Sequence, residues 1–202
     1  MVQSRELAFI RYSQQAVDYR DWLSIAVNEA LWPLNAEYPF FAIWYKNLFS
    51  ASLTLDNDRE ILLCLDNKRV AGVAILKYSE QKVCTLRVSK GYRGRSIGTR
   101  LLTNSFELLD TSRPLITVRS TRLKEYQRLF ERFGFRMEDR RYAYYSLLHS
   151  ECAFNGILDE RAPLLNTIEF LQAREHISGN ELYRPSPRAQ GSSPSFDSLA
   201  LA

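Results

Sequence analysis

Cysteine and histidine are scarce in this chain of 202 residues, which has three cysteines and two histidines. Cys64, Cys84 and Cys152 are odd in number and widely spaced, and no CxxC pair is present. Such a set fits neither a disulfide framework nor a zinc site. We therefore expect three reduced cysteines and no bound metal.

Long apolar runs are also missing. The longest uncharged apolar stretch, 39–45, is far shorter than the roughly 20 residues that a membrane-spanning helix needs. Residues 1–6 do not begin the apolar run followed by small residues that marks a secretory signal. We expect a cytoplasmic protein without a membrane segment. With 46% hydrophobic and 25% charged residues, the composition is that of one ordinary globular domain.

Positive charge is concentrated in two segments, although the net charge of the chain is only +4. Residues 82–100 contain six basic and no acidic residues, and residues 119–141 contain eight basic and four acidic ones. Concentrated cations favour a polyanionic ligand, because their fields add over a concave surface. A phosphorylated cofactor and a nucleic acid both fit, and so does a solvated basic face.

The hydrophobic pattern predicts strands alternating with helices. Strands are expected at 6–12, 60–65, 70–78, 83–88, 115–118, 135–141 and 142–148, and helices at 16–30, 40–49, 97–109 and 123–133. The turn residues 66–69 predict a hairpin between the second and third strands. We assign these elements to one domain, 1–150.

The end of the chain has a different composition. Residues 151–183 read as an extension in which the pattern allows one short helix, at 155–173. Residues 184–202 are rich in serine and proline and contain too little apolar area to offset chain entropy. We expect a disordered tail there.

A basic loop connects the strand 83–88 to the helix that follows it. The N-terminus of a helix carries unpaired N–H groups and a positive dipole end, which attract phosphate oxygens. Gly94 and Gly98 let the backbone approach a ligand closely, and Arg93, Arg95 and Arg100 can add charge-assisted contacts. The loop is neither a Walker loop nor GxGxxG, so it predicts a diphosphate site of another kind.

The loop reads Arg93-Gly94-Arg95-Ser96-Ile97-Gly98 and is followed by Thr99. It resembles the cofactor loop of the GNAT acyltransferases, which reads Gln/Arg-x-x-Gly-x-Gly/Ala. Ser96 stands where the family usually has its first glycine. The segment 126–135 is similar to a second GNAT signature, a helix ending Leu-Tyr-x-Lys-x-Gly-Phe. The resemblance covers residues 6–148.

This resemblance implies a fold and a reaction. The fold would be α/β (α+β), with a mixed, largely antiparallel sheet of six to seven strands and about four helices. The reaction would be direct transfer of an acetyl group from acetyl-CoA to a primary amine of a small molecule or protein. The resemblance assigns cofactor contacts to Arg87, Val88, the loop residues Arg93 to Thr99, and Phe130.

The proton-transfer residues are less clear from the sequence. Phe130 occupies the position of the tyrosine that protonates the CoA thiolate in the family, so we consider Tyr126 first, with Ser120 and Tyr145 as weaker candidates. Glu60 is a candidate base acting through water. His149 and His176 have no identifiable partner. The aromatic segment with Trp32, Tyr38, Phe40, Phe41, Trp44 and Tyr45 is expected in the core, with one or two members at the acceptor site.

Two other functions remain compatible with the sequence. A toxin-like acetyltransferase acting on aminoacyl-tRNA would use the basic segment 119–141 to hold RNA phosphates. A degenerate module that binds CoA or a partner without catalysis would explain Ser96 and Phe130. The sequence is also compatible with a homodimer.

Overall fold

The structure is a computed structural model that describes residues 7–38, 41–49, 55, 57–146 and 148–159. Its helices are α1 (Val17–Leu31), α2 (Phe41–Lys46), α3 (Ile97–Leu109) and α4 (Leu123–Arg132). Its strands are β1 (Leu7–Arg11), β2 (Arg59–Asp66), β3 (Arg69–Lys77), β4 (Lys82–Val88), β5 (Leu115–Arg119), β6 (Met137–Tyr142) and β7 (Ser150–Phe154).

The described strands form one seven-stranded sheet in the order β1-β2-β3-β4-β5-β7-β6. Every neighbouring pair is antiparallel except β4 and β5, which are parallel. These two pair only where Lys82 meets Leu115 and Val83 meets Ile116, at the start of both strands. Beyond that point they separate. The expected mixed, largely antiparallel sheet with about four helices is confirmed.

The predicted hairpin joins β2 and β3. Asp66 pairs with Arg69, and Asn67 in the turn adopts a left-handed backbone with a φ of 54°. Asparagine tolerates this conformation better than most residues, so the local sequence suits the turn. The hairpin brings together two strands that are buried along nearly their whole length.

Both faces of the sheet are covered, because successive side chains of a strand point to opposite sides. On one face, Ile61, Leu63 and Ile75 pack with apolar residues of α1 and α2. On the other face, Leu62 and Ala74 pack in a second cluster with residues of α3 and α4. The sheet is therefore the middle layer of three. None of the helices that the structure describes is long and apolar enough to cross a membrane.

The last predicted strand, 142–148, is wrong. Strand β6 ends at Tyr142, and Ala143 has a φ of 57°, a conformation that breaks an extended run. A turn follows, closed by a hydrogen bond from the Ala143 N–H to the His149 carbonyl. The seventh strand begins at Ser150 and inserts between β5 and β6.

The expected domain boundary at 150 falls at the first residue of β7. Residues 155–159, where the expected extension helix would begin, are not helical. Asn155 has a φ of 59°, and its N–H donates to the Arg136 carbonyl. The remainder of that helix, the rest of the extension and the tail 184–202 lie outside the described residues.

Candidate active site

The separation of β4 and β5 creates a cavity of about 390 Å³. Its wall includes Thr85 and Arg87 from β4, Thr117 and Arg119 from β5, Glu151 from β7 and Tyr126 from α4. Because the two strands no longer share hydrogen bonds here, polar side chains from three strands and one helix meet in one place. The cavity is a candidate position for a reaction centre.

Aromatic side chains form another side of the cavity. Tyr38, Phe41, Trp44 and Tyr145 line it. Three of them belong to the aromatic segment expected in the core, with one or two members at the acceptor site. In the same segment, Tyr45 instead lies in the core, where its hydroxyl donates to the Ser24 carbonyl at 2.7 Å. Trp32 is not among the described lining residues, and Phe40 lies outside the described residues.

Glu151 is the buried carboxyl group of the cavity, with 3% of the residue exposed. Burial raises its pKa to about 7, against the opposing effects of a Thr117 hydrogen bond and the nearby charge of Arg119. A carboxyl with this pKa can hold or release a proton near neutral pH. The sequence interpretation missed Glu151, because no local pattern marks it and its strand was placed elsewhere.

Arg119 is the register partner of Glu151 on the neighbouring antiparallel strand. It is 7% exposed, and neither its Nε nor its Nη2 has a hydrogen-bond partner. The Tyr38 ring lies over the guanidinium, with the Arg119 Cζ 5.0 Å from the ring centroid. Burying N–H groups of a charged side chain without hydrogen-bond partners destabilises the folded protein. The two unpaired groups of Arg119 therefore need a physical explanation.

Tyr126, the first candidate acid, reaches the cavity from α4. Its hydroxyl donates to the Leu86 carbonyl at 2.7 Å, and burial raises its pKa. Burial likewise raises the pKa of Tyr145, which also lines the cavity. Ser120 is not among the described lining residues.

Phe130 lies in the core rather than at the described cavity wall. Its ring centroid is 4.5 Å from that of Phe154 and 5.4 Å from that of Phe135. Its side chain is buried, so the structure supplies no support for the expected contact between Phe130 and the cofactor.

The environment of Glu60 does not suit a general base that acts through water. Its carboxylate accepts hydrogen bonds from the Arg11 Nε at 2.8 Å and from the Ser13 N–H at 3.1 Å. The Ser13 hydroxyl and the Ile61 N–H donate to it as well. Glu60 is buried and is not among the described lining residues. These contacts join the end of β1 and the turn after it to β2, and we no longer retain Glu60 as a base.

The basic loop enters α3 through two residues with left-handed backbones, Gly94 with a φ of 81° and Ser96 with a φ of 58°. The first helical hydrogen bond runs from the Arg100 N–H to the Ser96 carbonyl. The amides of Ile97, Gly98 and Thr99 are thus the free donors of the first turn. The Ile97 side chain is buried, so this residue can offer a ligand only its backbone.

Charged side chains surround this helix start. Arg93 and Arg95 are exposed; Arg93 pairs with Glu125 at 3.1 Å, and Arg95 lies 5.5 Å from the Tyr92 ring centroid. Arg87 and Val88 occupy the end of β4 next to the loop, and a β-carbon built at Gly98 would lie 3.5 Å from the Val88 Cγ2. Free amides beside accessible arginines suit a diphosphate.

Comparisons with known proteins identify the family of this chain. A sequence profile described as an acetyltransferase (GNAT) domain matches residues 12–150. The chain belongs to the GNAT acetyltransferase family. A search of curated proteins finds no match. The expectation of an acyl-CoA-dependent N-acetyltransferase that uses acetyl-CoA as its acyl donor is confirmed at this level.

Solved GNAT structures share the fold at low sequence identity. Arabidopsis thaliana NAA60 in complex with acetyl-CoA has a TM-score of 0.54 and 14% identity, over 74% of this chain and 97% of that one. The acetyltransferase of GNAT family from Streptococcus pneumoniae has a TM-score of 0.52 and 15% identity, over the same shares. At such identities the likeness concerns the fold.

Proposed function

We propose that this GNAT protein transfers an acetyl group from acetyl-CoA to a primary amine of a small molecule or protein, with Glu151 as general base. The observation that carries the proposal is the position of Glu151, a buried carboxyl at the cavity between β4 and β5. Its pKa of about 7 lets it accept a proton from an ammonium group and release it to water afterwards.

The chemical step needs one base and one acid. The amine nitrogen attacks the thioester carbonyl carbon, a C–N bond forms and the C–S bond breaks. The proton lost by nitrogen goes to Glu151, and the departing thiolate takes a proton from the Tyr126 hydroxyl. Burial raises the Tyr126 pKa, so the hydroxyl stays protonated until the thiolate forms beside it. Water then restores both groups.

We assign the binding of acetyl-CoA, the acetyl donor, to the loop before α3 and the first turn of α3. The amides of residues 97–99 and the side chains of Arg93 and Arg95 would hold the diphosphate, as the geometry of the helix start favours. The backbone of Arg87 and Val88 would hold the pantetheine arm. Because β4 leads directly from the cavity to this loop, one extended molecule can reach both.

The two alternatives receive less support. Arg122, one of the arginines expected to hold RNA, is paired with Glu37 at 2.7 Å and with Glu125 at 2.6 Å. Ser96, which motivated a degenerate module, adopts the left-handed conformation of a glycine while its side chain stays exposed. Its Cβ therefore does not fill the loop.

The test is an acceptor screen with purified protein, acetyl-CoA and pooled primary amines, read by thiol release and product mass. We expect acetylated product, and a Glu151→Gln variant at least about 100-fold slower than the native protein. Glu138→Gln is the matched control, since Glu138 is exposed on β6 and pairs only loosely with Arg113 at 3.4 Å. Acetyl-CoA binding without any transfer would support the degenerate module, and transfer to charged tRNA alone would support the toxin-like enzyme.

A further inference from the structure

The charges of the cavity do not suit an acceptor that is only a cation. Among the described residues, the lining has six basic side chains and three carboxyl groups. Ion pairs account for two of the carboxylates and three of the basic side chains: Glu37 pairs with Arg122 at 2.7 Å, and Glu80 pairs with both Lys77 and Lys82. Arg59, Arg87 and Arg119 remain, together with Glu151. Such a lining repels polyamines and lysine-rich peptides and attracts anions.

Arg119 is the basic residue of the cavity with N–H groups that have no hydrogen-bond partner, at Nε and Nη2. Its Nε and Nη2 form one edge of the guanidinium, the fork that matches the two oxygens of a carboxylate. The side chain is 7% exposed, and no hydrogen bond or ion pair joins it to Glu151, although the two residues are register partners. An unpaired guanidinium edge at a cavity wall therefore points to a ligand that completes it.

We propose that the acceptor is an amine that also carries a carboxylate, and that Arg119 binds this carboxylate through Nε and Nη2. The inference rests on the proposed function, since it assigns the acceptor's amine to Glu151 on the neighbouring strand. Arg119 and Glu151 then form a two-point site in which one strand binds the anion and the next receives the proton. The Tyr38 ring covers the guanidinium, so we expect the ring to shift as the carboxylate enters.

The positions of Arg119 and Glu151 on the sheet support these two separate roles. Arg119 is the last residue of β5, and Glu151 lies near the start of β7, so both are anchored by strand hydrogen bonds. Two groups held by adjacent strands keep a nearly constant separation. An acceptor whose amine and carboxylate are linked by a short chain is oriented by both ends at once.

The experiment compares amino acids with their primary amides, which lack the carboxylate, and with a polyamine. Glycine, β-alanine, 4-aminobutyrate and lysine are assayed beside their primary amides and beside spermidine, with kcat/KM measured by thiol release. We expect at least one carboxylate to exceed its amide by roughly 10- to 100-fold, the loss of a charged hydrogen-bonded pair. Arg119→Gln should abolish that preference, and Arg119→Lys should restore only part of it, because lysine lacks the fork.

Arg140→Gln is the matched control, since Arg140 is exposed on the edge strand β6 and its loss changes the net charge equally. Folding is checked by the melting temperature and by acetyl-CoA binding. Removing a buried guanidinium whose Nε and Nη2 have no hydrogen-bond partner should leave the melting temperature unchanged or raise it, whereas a purely structural arginine would lower it on removal.

Two results would overturn the inference and are distinguishable. Rapid acetylation of amides or spermidine, with carboxylates no better, removes the carboxylate site but leaves the acetyltransferase proposal intact. If no amine is acetylated, calorimetric titration of the same carboxylates into CoA-loaded protein decides. Absence of heat with all of them, or heat that is unchanged in Arg119→Gln, overturns the carboxylate site, and heat that disappears in Arg119→Gln supports it.

Discussion

Gly72 of β3 and Ile97 of α3 approach so closely that no side chain fits between them. A β-carbon built at Gly72 would lie 2.7 Å from the Ile97 Cγ2 and 3.0 Å from the Leu101 Cδ1. Ile97 is the first residue of α3, so this contact fixes the height of the helix start above the sheet. Because Gly72 has no side chain, the first turn of α3 lies close to β3, and this contact positions the amides that we assign to the diphosphate.

Gly72→Ala should destabilise the protein by about 1–3 kcal/mol, because the Ile97 methyl is attached at the branched Cβ and cannot move alone. It should also weaken acetyl-CoA binding by displacing the first turn of α3. Gly91→Ala is the control, since a Cβ there meets nothing within 4 Å. Urea unfolding and calorimetry measure both effects. Equal behaviour of the two variants would show that α3 is not held by this contact.

Ser96→Gly should stabilise the protein by about 0.5–1 kcal/mol. Ser96 has a φ of 58°, where a Cβ is strained and glycine is not. Ser112→Gly serves as control, because Ser112 is also exposed but does not have a positive φ, and glycine there only adds freedom to the unfolded chain. Thermal unfolding should move the two melting temperatures in opposite directions; a fall in both would contradict the strain argument.

Tyr126→Phe should lower kcat roughly 100-fold if the hydroxyl protonates the CoA thiolate. The matched control is Tyr45→Phe, because Tyr126 and Tyr45 each donate to a backbone carbonyl at 2.7 Å. Both variants should lose about 1 kcal/mol of stability, but only Tyr126→Phe should lose activity. Steady-state kinetics and urea unfolding separate the two effects. Equal kcat values in both variants would exclude Tyr126 as the acid.

The pH profile of kcat/KM should rise with an apparent pKa near 7, because only ionised Glu151 accepts a proton. The acceptor amine titrates at higher pH, so Glu151→Gln should retain only the amine's contribution. The rate is measured from pH 5.5 to about 9 with saturating acetyl-CoA. A step near pH 7 that persists in Glu151→Gln would assign the titration to another group.

The same pKa shift has a consequence for stability. The folded-state pKa of Glu151 lies above its unfolded value, so burial of the neutral acid contributes stability below the unfolded pKa of about 4.5. This contribution is lost as the pH rises towards and through about 7. Glu151→Gln cannot ionise, so its free energy of unfolding should exceed that of the native protein increasingly from pH 5 to 8, by an amount on the order of 3 kcal/mol. A constant difference across this range would contradict the shift.

The sequence correctly predicted those elements whose structure depends on residues close together in the chain. The hairpin follows from Asn67 and the two apolar runs beside it, and α3 follows from the spacing of its apolar residues after a glycine-containing basic loop. The loop resembles the family motif although Ser96 replaces the usual glycine, because Ser96 adopts the left-handed backbone that a glycine would adopt. These features depend on residues close together in the chain.

Contacts between distant segments could not be predicted in the same way. The sequence made Glu60 a candidate base, whereas in the fold Arg11 and Ser13, 49 and 47 residues earlier in the chain, donate hydrogen bonds to its carboxylate. The aromatic run 142–148 read as a strand because of its composition, whereas β7 carries a glutamate in its interior. Long-range pairing with β5 and β6 decides this strand, and no local pattern encodes that pairing.

The amino-acid sequence by itself determined the family, the order of strands and helices up to β6, and the loop that we assign to the diphosphate. Those features follow from short-range patterns of polarity, turn residues and helix starts. Only the tertiary structure decided that β7 lies between β5 and β6, and that Glu151 and Arg119 meet at the gap beside β4. The pKa of Glu151 depends on burial, and burial is created only when the distant strands assemble into one sheet.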